Sequence, residues 1–345
     1  MRAKKGRRWK VAVLMGDGIG PEVVEASLDV LESAKARFGI GLDLQYADAG
    51  YSCIEKYGTN LPEDTIRLLK KTDCVIKGPM TTPEGPTSEM SAAVKIRRMF
   101  KLYADVRPCK ARPNIPSIGK DTDLVIVREN SEGMYSGLDF NLSPDLAVGI
   151  RVVTKSATER IGRFAFELAQ KRRKHLTIVH KGNILKASDG LFKATIESLH
   201  KRYPRVRLDD AHVDAMSQWL IKKPQDYDVL VMENLFGDIL SDEAAMVVGG
   251  VGVVPSANIG SDFAMFEPVH GSAPKYAGMD KADPIGTILS VKMMLEWMGH
   301  GSAANAIENA VSKSLSTKFR TYDLGGSSKC SEVGKYISGL VSRAD

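Results

Sequence analysis

Lys10 to Gly39 reads KVAVLMGDGIGPEVVEASLDVLESAKARFG. Val11 to Met15 form an apolar run of the length and β-branching of a short buried strand. Gly16, Gly18 and Gly20 follow, where the chain must turn. Pro21 and Glu22 then open an amphipathic pattern. Proline is tolerated in a first helical turn because its missing N–H has no intrahelical partner there, and glutamate suits the positive end of the helix dipole. A strand, a glycine turn and a helix in immediate succession predict an α/β fold.

The same alternation recurs at DCVIKGP (73–79), DLVIVREN (123–130), HLTIVHKGN (175–183) and DVLVMENLFGD (228–238). Each is a short apolar run that ends in a polar or glycine-bearing turn. Helical patterns lie between them, as in ATERIGRFAFELAQKRR (157–173) and DGLFKATIESLHKRY (189–203). Ligands of α/β proteins gather at the carboxyl ends of strands, and those ends carry Arg128, Lys181, Asn183 and Asp238. No internal repeat or low-complexity linker marks a domain boundary.

At 345 residues, with 26% charged residues, the chain can form two packed lobes and is not of disordered composition. Its net charge of +6 suggests nucleic acid until it is located. The leader MRAKKGRRWK holds six basic and no acidic residues, and the remainder balances at 42 against 42. That distribution favours a solvated leader over a polyanion-binding arm. No basic-aromatic stripe supports a nucleic-acid partner. The apolar run after the leader is too short for a signal-peptide core. The longest uncharged run, AAMVVGGVGVVPSANIGS (244–261), is broken by four glycines and a proline, so it reads as a buried strand and loops rather than a membrane span. Cys53, Cys74, Cys109 and Cys330 lie far apart without CxxC spacing, which argues for reduced, packed thiols and a cytoplasmic setting.

GDGIGPE (16–22) invites a dinucleotide-fingerprint reading, but the spacing is GxGxG and Asp17 would repel an anion; a tight structural turn fits better. Arg97, Arg98, Arg107 and Arg128 stand near element ends, and guanidinium grips carboxylates at two points. Together they suggest a small polyanionic substrate, although a surface salt bridge competes as the role of any one. Lys181 after an apolar strand could serve as a base or form an ordinary ion pair. In NLFGDILSDEA (234–244), Asp238 and Asp242 fall one helical turn apart on one face, a repulsive arrangement unless a cation faces them. With Asp214 they make a carboxylate set suited to Mg²⁺ or Mn²⁺, while surface solvation is the rival role for Asp242.

Nine strings, GDGIGPE, KGPMTTP, IRRMFKLYADVRP, VRENSEGMYSG, HKGNILKASDG, ENLFGDILSDEA, PSANIG, FEPVHGSAPKYAG and TYDLGG, resemble in order and spacing the β-decarboxylating dehydrogenases that act on isocitrate, homoisocitrate or 3-isopropylmalate. The likeness runs from about Lys10 to the end. It implies a two-lobed α/β fold distinct from Rossmann, with residues 1–102 and 249–345 as a large cofactor-binding lobe and 103–248 as a small lobe bearing the dimer interface and metal site. It also implies a homodimer whose active sites borrow residues across the subunits.

By this resemblance Asp238 and Asp242 bind the divalent metal with Asp214 of the other subunit. Arg97, Arg107 and Arg128 clamp the malate portion of the substrate. Tyr135 and the other subunit's Lys181 form the acid/base pair. Thr82, Asn183, His270, Gly271, Lys275, Tyr276, Asp283 and Tyr322 fall at cofactor positions. The Lys275-Tyr276 pair matches the NADP-dependent isocitrate enzymes, where NAD-dependent members carry an acidic residue, so NADP is preferred to NAD. Tyr322 agrees, although Gly326 stands where those enzymes place an arginine.

The substrate turns on the residues before Arg97. Ser91 matches the isocitrate pattern, but Ala93 replaces its asparagine, and Ala93 and Val94 are apolar as an isopropylmalate pattern would be. Ser91 with Lys275-Tyr276 favours isocitrate, with isopropylmalate and homoisocitrate as alternatives. Two departures stand out: Asp105 replaces an asparagine before VRP, and Asp283 replaces the asparagine of an NP pair that touches adenine.

Overall fold

The computed structural model describes residues 7–82 and 89–344. The first six leader residues and the middle of the loop KGPMTTPEGPTSEMS lie outside them. The strands are β1 (Trp9–Leu14), β2 (Leu42–Ala47), β3 (Cys74–Lys77), β4 (Ala104–Lys110), β5 (Asp123–Glu129), β6 (Asp139–Ser143), β7 (Leu146–Gly149), β8 (His175–His180), β9 (Arg207–His212), β10 (Val229–Met232), β11 (Pro255–Ile259) and β12 (Ala264–Pro268). The helices are α1 (Gly20–Phe38), α2 (Ser52–Tyr57), α3 (Glu63–Leu69), α4 (Ala92–Met99), α5 (Lys155–Lys171), α6 (Ser188–His200), α7 (Val213–Lys222), α8 (Asn234–Val247), α9 (Ile285–Trp297), α10 (Gly301–Leu315) and α11 (Cys330–Val341).

Ten strands form one sheet in the order β2-β1-β3-β12-β11-β4-β5-β10-β8-β9, and β6 and β7 pair separately as a hairpin. Each flank of the sheet is parallel, while β12-β11-β4-β5 in the middle are antiparallel, so the two flanks run in opposite directions. This is an α/β fold but not the all-parallel Rossmann sheet. One half of the sheet draws its strands from residues 9–77 and 255–268, the other from 104–232.

The short apolar runs are buried on both faces, and their period of two divides them between separate cores. In β1, Val11 and Val13 join the core under α1, α9, α10 and α11, while Ala12 and Leu14 join one toward α3 and α4. In β5 and β10, Leu124, Ile126, Leu230 and Met232 face the first core, and Val125, Val127, Val229 and Val231 pack with Ile161, Phe166 and Ile196 of α5 and α6. The expected helix α1 has Pro21 in its first turn and ends at Gly39 in the left-handed region, φ +63°. The uncharged run 244–261 departs in part from its reading as strand and loops: Ala244 to Val247 are the last turn of α8, and only Pro255 to Ile259 are strand. Propensity there yields to the helix begun at Asn234. All four cysteines are buried and unpaired. Among the described residues no helix is long and apolar enough to cross a membrane. At the end of the leader, Arg7 pairs with Asp73 and lies 3.9 Å over the Trp9 ring.

The GDGIGPE segment is the tight turn. A Cβ on Gly18 (φ +59°) would lie 2.0 Å from the Ser272 carbonyl oxygen. The Asp17 carboxylate accepts N–H bonds from Tyr51 (2.7 Å), Ser52 (3.1 Å) and Thr81 (2.9 Å), so an acid ties three backbone segments together where a phosphate loop would leave amides free. Gly18→Ala is therefore expected to lower unfolding stability by about 2 kcal/mol or more, from φ strain plus the clash. Denaturant titration checks this, and an unchanged midpoint would contradict the packing.

Candidate active site

Arg128 is the next-to-last residue of β5, Lys181 follows β8 directly, and Asp238 lies in the second turn of the helix that follows β10. These three strands are parallel, β5-β10-β8, which gathers their carboxyl ends at one edge. Asp238 and Asp242 are both on α8, as the spacing required. Glu233 caps that helix through the Phe236 N–H at 3.2 Å.

The cations facing the two aspartates are arginines of this chain. Arg128 is 1% exposed; its Nε donates to Asn234 Oδ1 at 2.9 Å and its guanidinium pairs with Asp238. Arg107 reaches Asp238 and Asp242, each at 3.5 Å, and donates to Ser241 Oγ at 2.7 Å. The Tyr135 hydroxyl donates to Asp238. Burial alone would push the Asp238 carboxyl up, but Arg128 and Arg107 hold it below the usual range. Asp242 goes the other way: burial raises it, Asp238 adds to the rise, and Arg107 only partly offsets them.

Asp105, flagged by sequence only as a departure, is fully buried and organises the arginines. It accepts from Arg107 Nε at 3.0 Å and from Ser256 Oγ at 2.6 Å, and lies 3.7 Å from Arg128 Nη1. Arg97 donates to Glu267 at 2.8 Å, and Lys77 holds the other oxygen of that carboxylate at 2.6 Å. Burial works against the Glu267 charge, yet Lys77 and Arg97 keep it far below the usual carboxylate range. Lys77, Glu267 and Ser241 escaped the sequence reading because nothing local marks a residue that supports another. Arg98 turns to the Tyr135 carbonyl at 2.7 Å, and Lys95 to Glu89 and to Asn60 Oδ1 at 3.0 Å. Ser91 occupies the N-cap of α4 without making a side-chain cap bond.

Lys181 and Asp214 form a separate pair at 2.7 Å. No three His, Cys, Asp or Glu side chains converge on a metal position among the described residues of one chain. Asp214 is thus not brought to Asp238 and Asp242. Arg151 was missed as well. It lies 2.6 Å from Asp189 and 3.3 Å from Glu233, the cap of α8. Asp189 in turn accepts the Lys181 N–H, so Arg151 ties the lysine turn to the helix bearing Asp238.

The expected cofactor residues fall mostly elsewhere. His270, Tyr276, Asp283 and Tyr322 line a cavity of about 170 Å³ with Gly252, Lys281 and Asp323. Gly271 follows His270, and the Lys275 amine sits 4.9 Å from the Tyr276 ring. Thr82 is exposed next to Thr81, whose hydroxyl meets Ser272 at 2.7 Å; Asn183 is exposed after Lys181 and does not reach the cavity. Lys281 also escaped the reading, though it lies 4.1 Å over the Tyr322 ring.

The family model described as isocitrate/isopropylmalate dehydrogenase matches residues 10–337. The 3-isopropylmalate/3-methylmalate dehydrogenase of Methanocaldococcus jannaschii is 42% identical, over 96% of this chain and 98% of its own. The isocitrate/homoisocitrate dehydrogenase of Thermus thermophilus is 43% identical, over 92% and 94%. The crystal structure of isocitrate dehydrogenase from Methylococcus capsulatus superposes with a TM-score of 0.93 at 40% identity, covering 97% of this chain and all of that one.

Proposed function

Because the chain belongs to the isocitrate/isopropylmalate dehydrogenase family and is thereby an NAD(P)-dependent, oxidatively decarboxylating enzyme, we propose that it converts isocitrate to 2-oxoglutarate with NADP and Mg²⁺ or Mn²⁺. The observation that carries the chemistry is the meeting of Arg107 and Arg128 on Asp238, with Arg107 also reaching Asp242 and Arg97 held on Glu267. Three arginines hold the carboxylates of the acid. Asp238 and Asp242 offer hard oxygen donors on one helix face, and the third donor is Asp214 of the partner subunit. What the ion supplies when bound is Lewis-acid stabilisation of the substrate oxygen on which charge collects.

In this reading the partner subunit's Lys181 takes the proton of the substrate hydroxyl, and the dinucleotide, when bound, would supply the hydride acceptor for C2. The bond to the departing carboxylate then breaks, and Tyr135 returns a proton to the carbanion carbon left behind. The arginines hold the acid so that hydride transfer and carbon dioxide loss occur at a fixed carbon. The separate halves of the sheet serve as the lobes, 1–102 with 249–345 and 103–248, flanking this cleft. The homodimer that sharing requires is supported by exposed apolar side chains: Ile239 and Met246 on α8, Ile221 on α7, and Phe140, Leu142 and Leu146 on the β6-β7 hairpin.

For the cofactor, the residues present fit a dinucleotide. His270 Nε2 and Asp283 Oδ2 are buried without partners at the cavity, and Lys275 and Lys281 bring positive charge to its tyrosine rim, where a 2′-phosphate is held. For the substrate, the Ser91 hydroxyl, which makes no helix-cap bond at the α4 N-terminus, suits an anionic γ-substituent. Ala93 and Val94 favour a second reading, 3-isopropylmalate or homoisocitrate, in keeping with the names of the relatives. A panel of the three acids with Mn²⁺ and either NADP⁺ or NAD⁺ decides. The highest kcat/KM is expected for isocitrate with NADP⁺, and preferred turnover of isopropylmalate with NAD⁺ would overturn the choice.

A further inference from the structure

Asp283 is the least accommodated carboxyl of the cofactor cavity. It is 6% exposed, and its Oδ1 accepts the Ile285 N–H at 2.9 Å while Oδ2 is buried without any partner. Both Asp283 Oδ2 and Asp323 Oδ2 lie 3.3 Å from the point where a Cβ on Gly252 would stand. A glycine therefore leaves open the space that the two acids border. The other titratable groups of the cavity are His270, Tyr276, Lys281 and Tyr322. The two tyrosine rings lie 6.4 Å apart, and Lys281 sits over both. The cavity thus has a cationic aromatic rim and an end that holds an uncompensated carboxyl. Burial and the Asp323 charge push the Asp283 carboxyl well above its ordinary range, and the Ile285 N–H offsets them only in part.

With Oδ1 already accepting a backbone N–H, a proton on this group belongs on Oδ2, the oxygen without a partner. The side chain then presents one O–H donor and a carbonyl oxygen with a lone pair to spare, the same pattern as a side-chain amide. An aromatic amidine edge, a ring nitrogen beside an exocyclic amine, is its complement. An ionised carboxylate is not, because it has no proton to give the ring nitrogen.

We propose that Asp283 acts as a neutral carboxylic acid that reads the adenine edge of the dinucleotide, its O–H donating to a ring nitrogen and its carbonyl accepting from the exocyclic amine. The inference rests on the reading of this cavity as the NADP site. It makes dinucleotide affinity pH-dependent in one direction: binding is strongest where Asp283 is neutral and weakens as pH rises through its raised pKa, approaching about tenfold per pH unit beyond it.

The test is calorimetric titration of NADP⁺ into the full-length enzyme without substrate, between about pH 6 and pH 9, for wild type and Asp283→Asn. Asn keeps the donor and acceptor but cannot titrate, so subtraction at each pH removes contributions from His270, Tyr276, Tyr322, Lys281, Asp323 and the 2′-phosphate. The expected result is wild-type affinity that falls with pH relative to D283N, and a binding heat that varies more steeply with buffer ionisation enthalpy in wild type than in D283N, the difference reporting proton uptake. Equal pH dependence and equal buffer effects in the two proteins would overturn the inference while leaving the cofactor site standing. If neither protein binds NADP⁺ or NAD⁺ at any pH, the cofactor reading falls and the inference with it. Thermal unfolding supplies a readout independent of ligand. Ionising Asp283 opposes folding, so D283N should gain in Tm over wild type as pH rises.

Discussion

Replacing Asp238 with asparagine is expected to lower kcat by about a thousandfold or more, equivalent to about 4 kcal/mol of transition-state stabilisation. The size follows from how many contacts meet on this carboxylate. It pairs with Arg128 and Arg107, accepts the Tyr135 hydroxyl, and shares α8 with Asp242. An amide keeps the volume but gives up the negative charge that a divalent ion requires. It also leaves Arg128, a buried guanidinium, with only Asp105 at 3.7 Å for charge compensation. The variant should therefore also bind Mn²⁺ far more weakly, measurable by titration without any turnover, and unfold at a lower temperature in the absence of ligands. Steady-state kinetics at saturating Mn²⁺ check the main effect. Turnover within a few-fold of wild type would remove Asp238 from the chemistry.

The α/β class, the strand ends and the helix bearing Asp238 and Asp242 were legible because each is written in a local period. Val11–Leu14, Leu124–Val127 and Val229–Met232 are continuous apolar runs, and such runs mean strands buried on both faces. The antiparallel middle of the sheet was not legible. β4 carries Asp105 and Arg107 among its apolar residues and β11 carries Ser256 and Asn258, all buried in polar contacts rather than apolar packing. Such strands break the apolar pattern at the very positions that serve the site. Lys77 and Glu267 were hidden for the same reason: 190 residues separate them in the chain, and only the pairing of β3 with β12 brings them together. Long-range charge compensation has no signature in a single sequence. Conversely, the tight turn of GDGIGPE was legible, because Gly16, Gly18 and Gly20 are crowded between a strand and a helix, and the Asp17 carboxylate is taken up there by three backbone N–H groups.

Mixed dimers test the sharing of sites more sharply than any single variant. In one chain Lys181 pairs with Asp214, while Tyr135 belongs with Asp238, and neither pair includes a member of the other. If each site takes Lys181 and Asp214 from the partner subunit, Lys181→Met and Asp238→Asn should each abolish activity alone, by about two to four orders of magnitude for loss of the acid/base lysine. Coexpressing the two variant chains then gives a decisive ratio. In a dimer of one chain of each kind, one site carries both lesions and the other carries neither. Random pairing makes half the dimers mixed, and each mixed dimer keeps one intact site of two, so the pool should recover about a quarter of wild-type activity. Sites built within single chains would leave every site in the pool defective, and activity would stay at the level of the separate variants. The assay thus reads the architecture as a ratio near one quarter or near zero, with purified wild type at equal chain concentration as the reference.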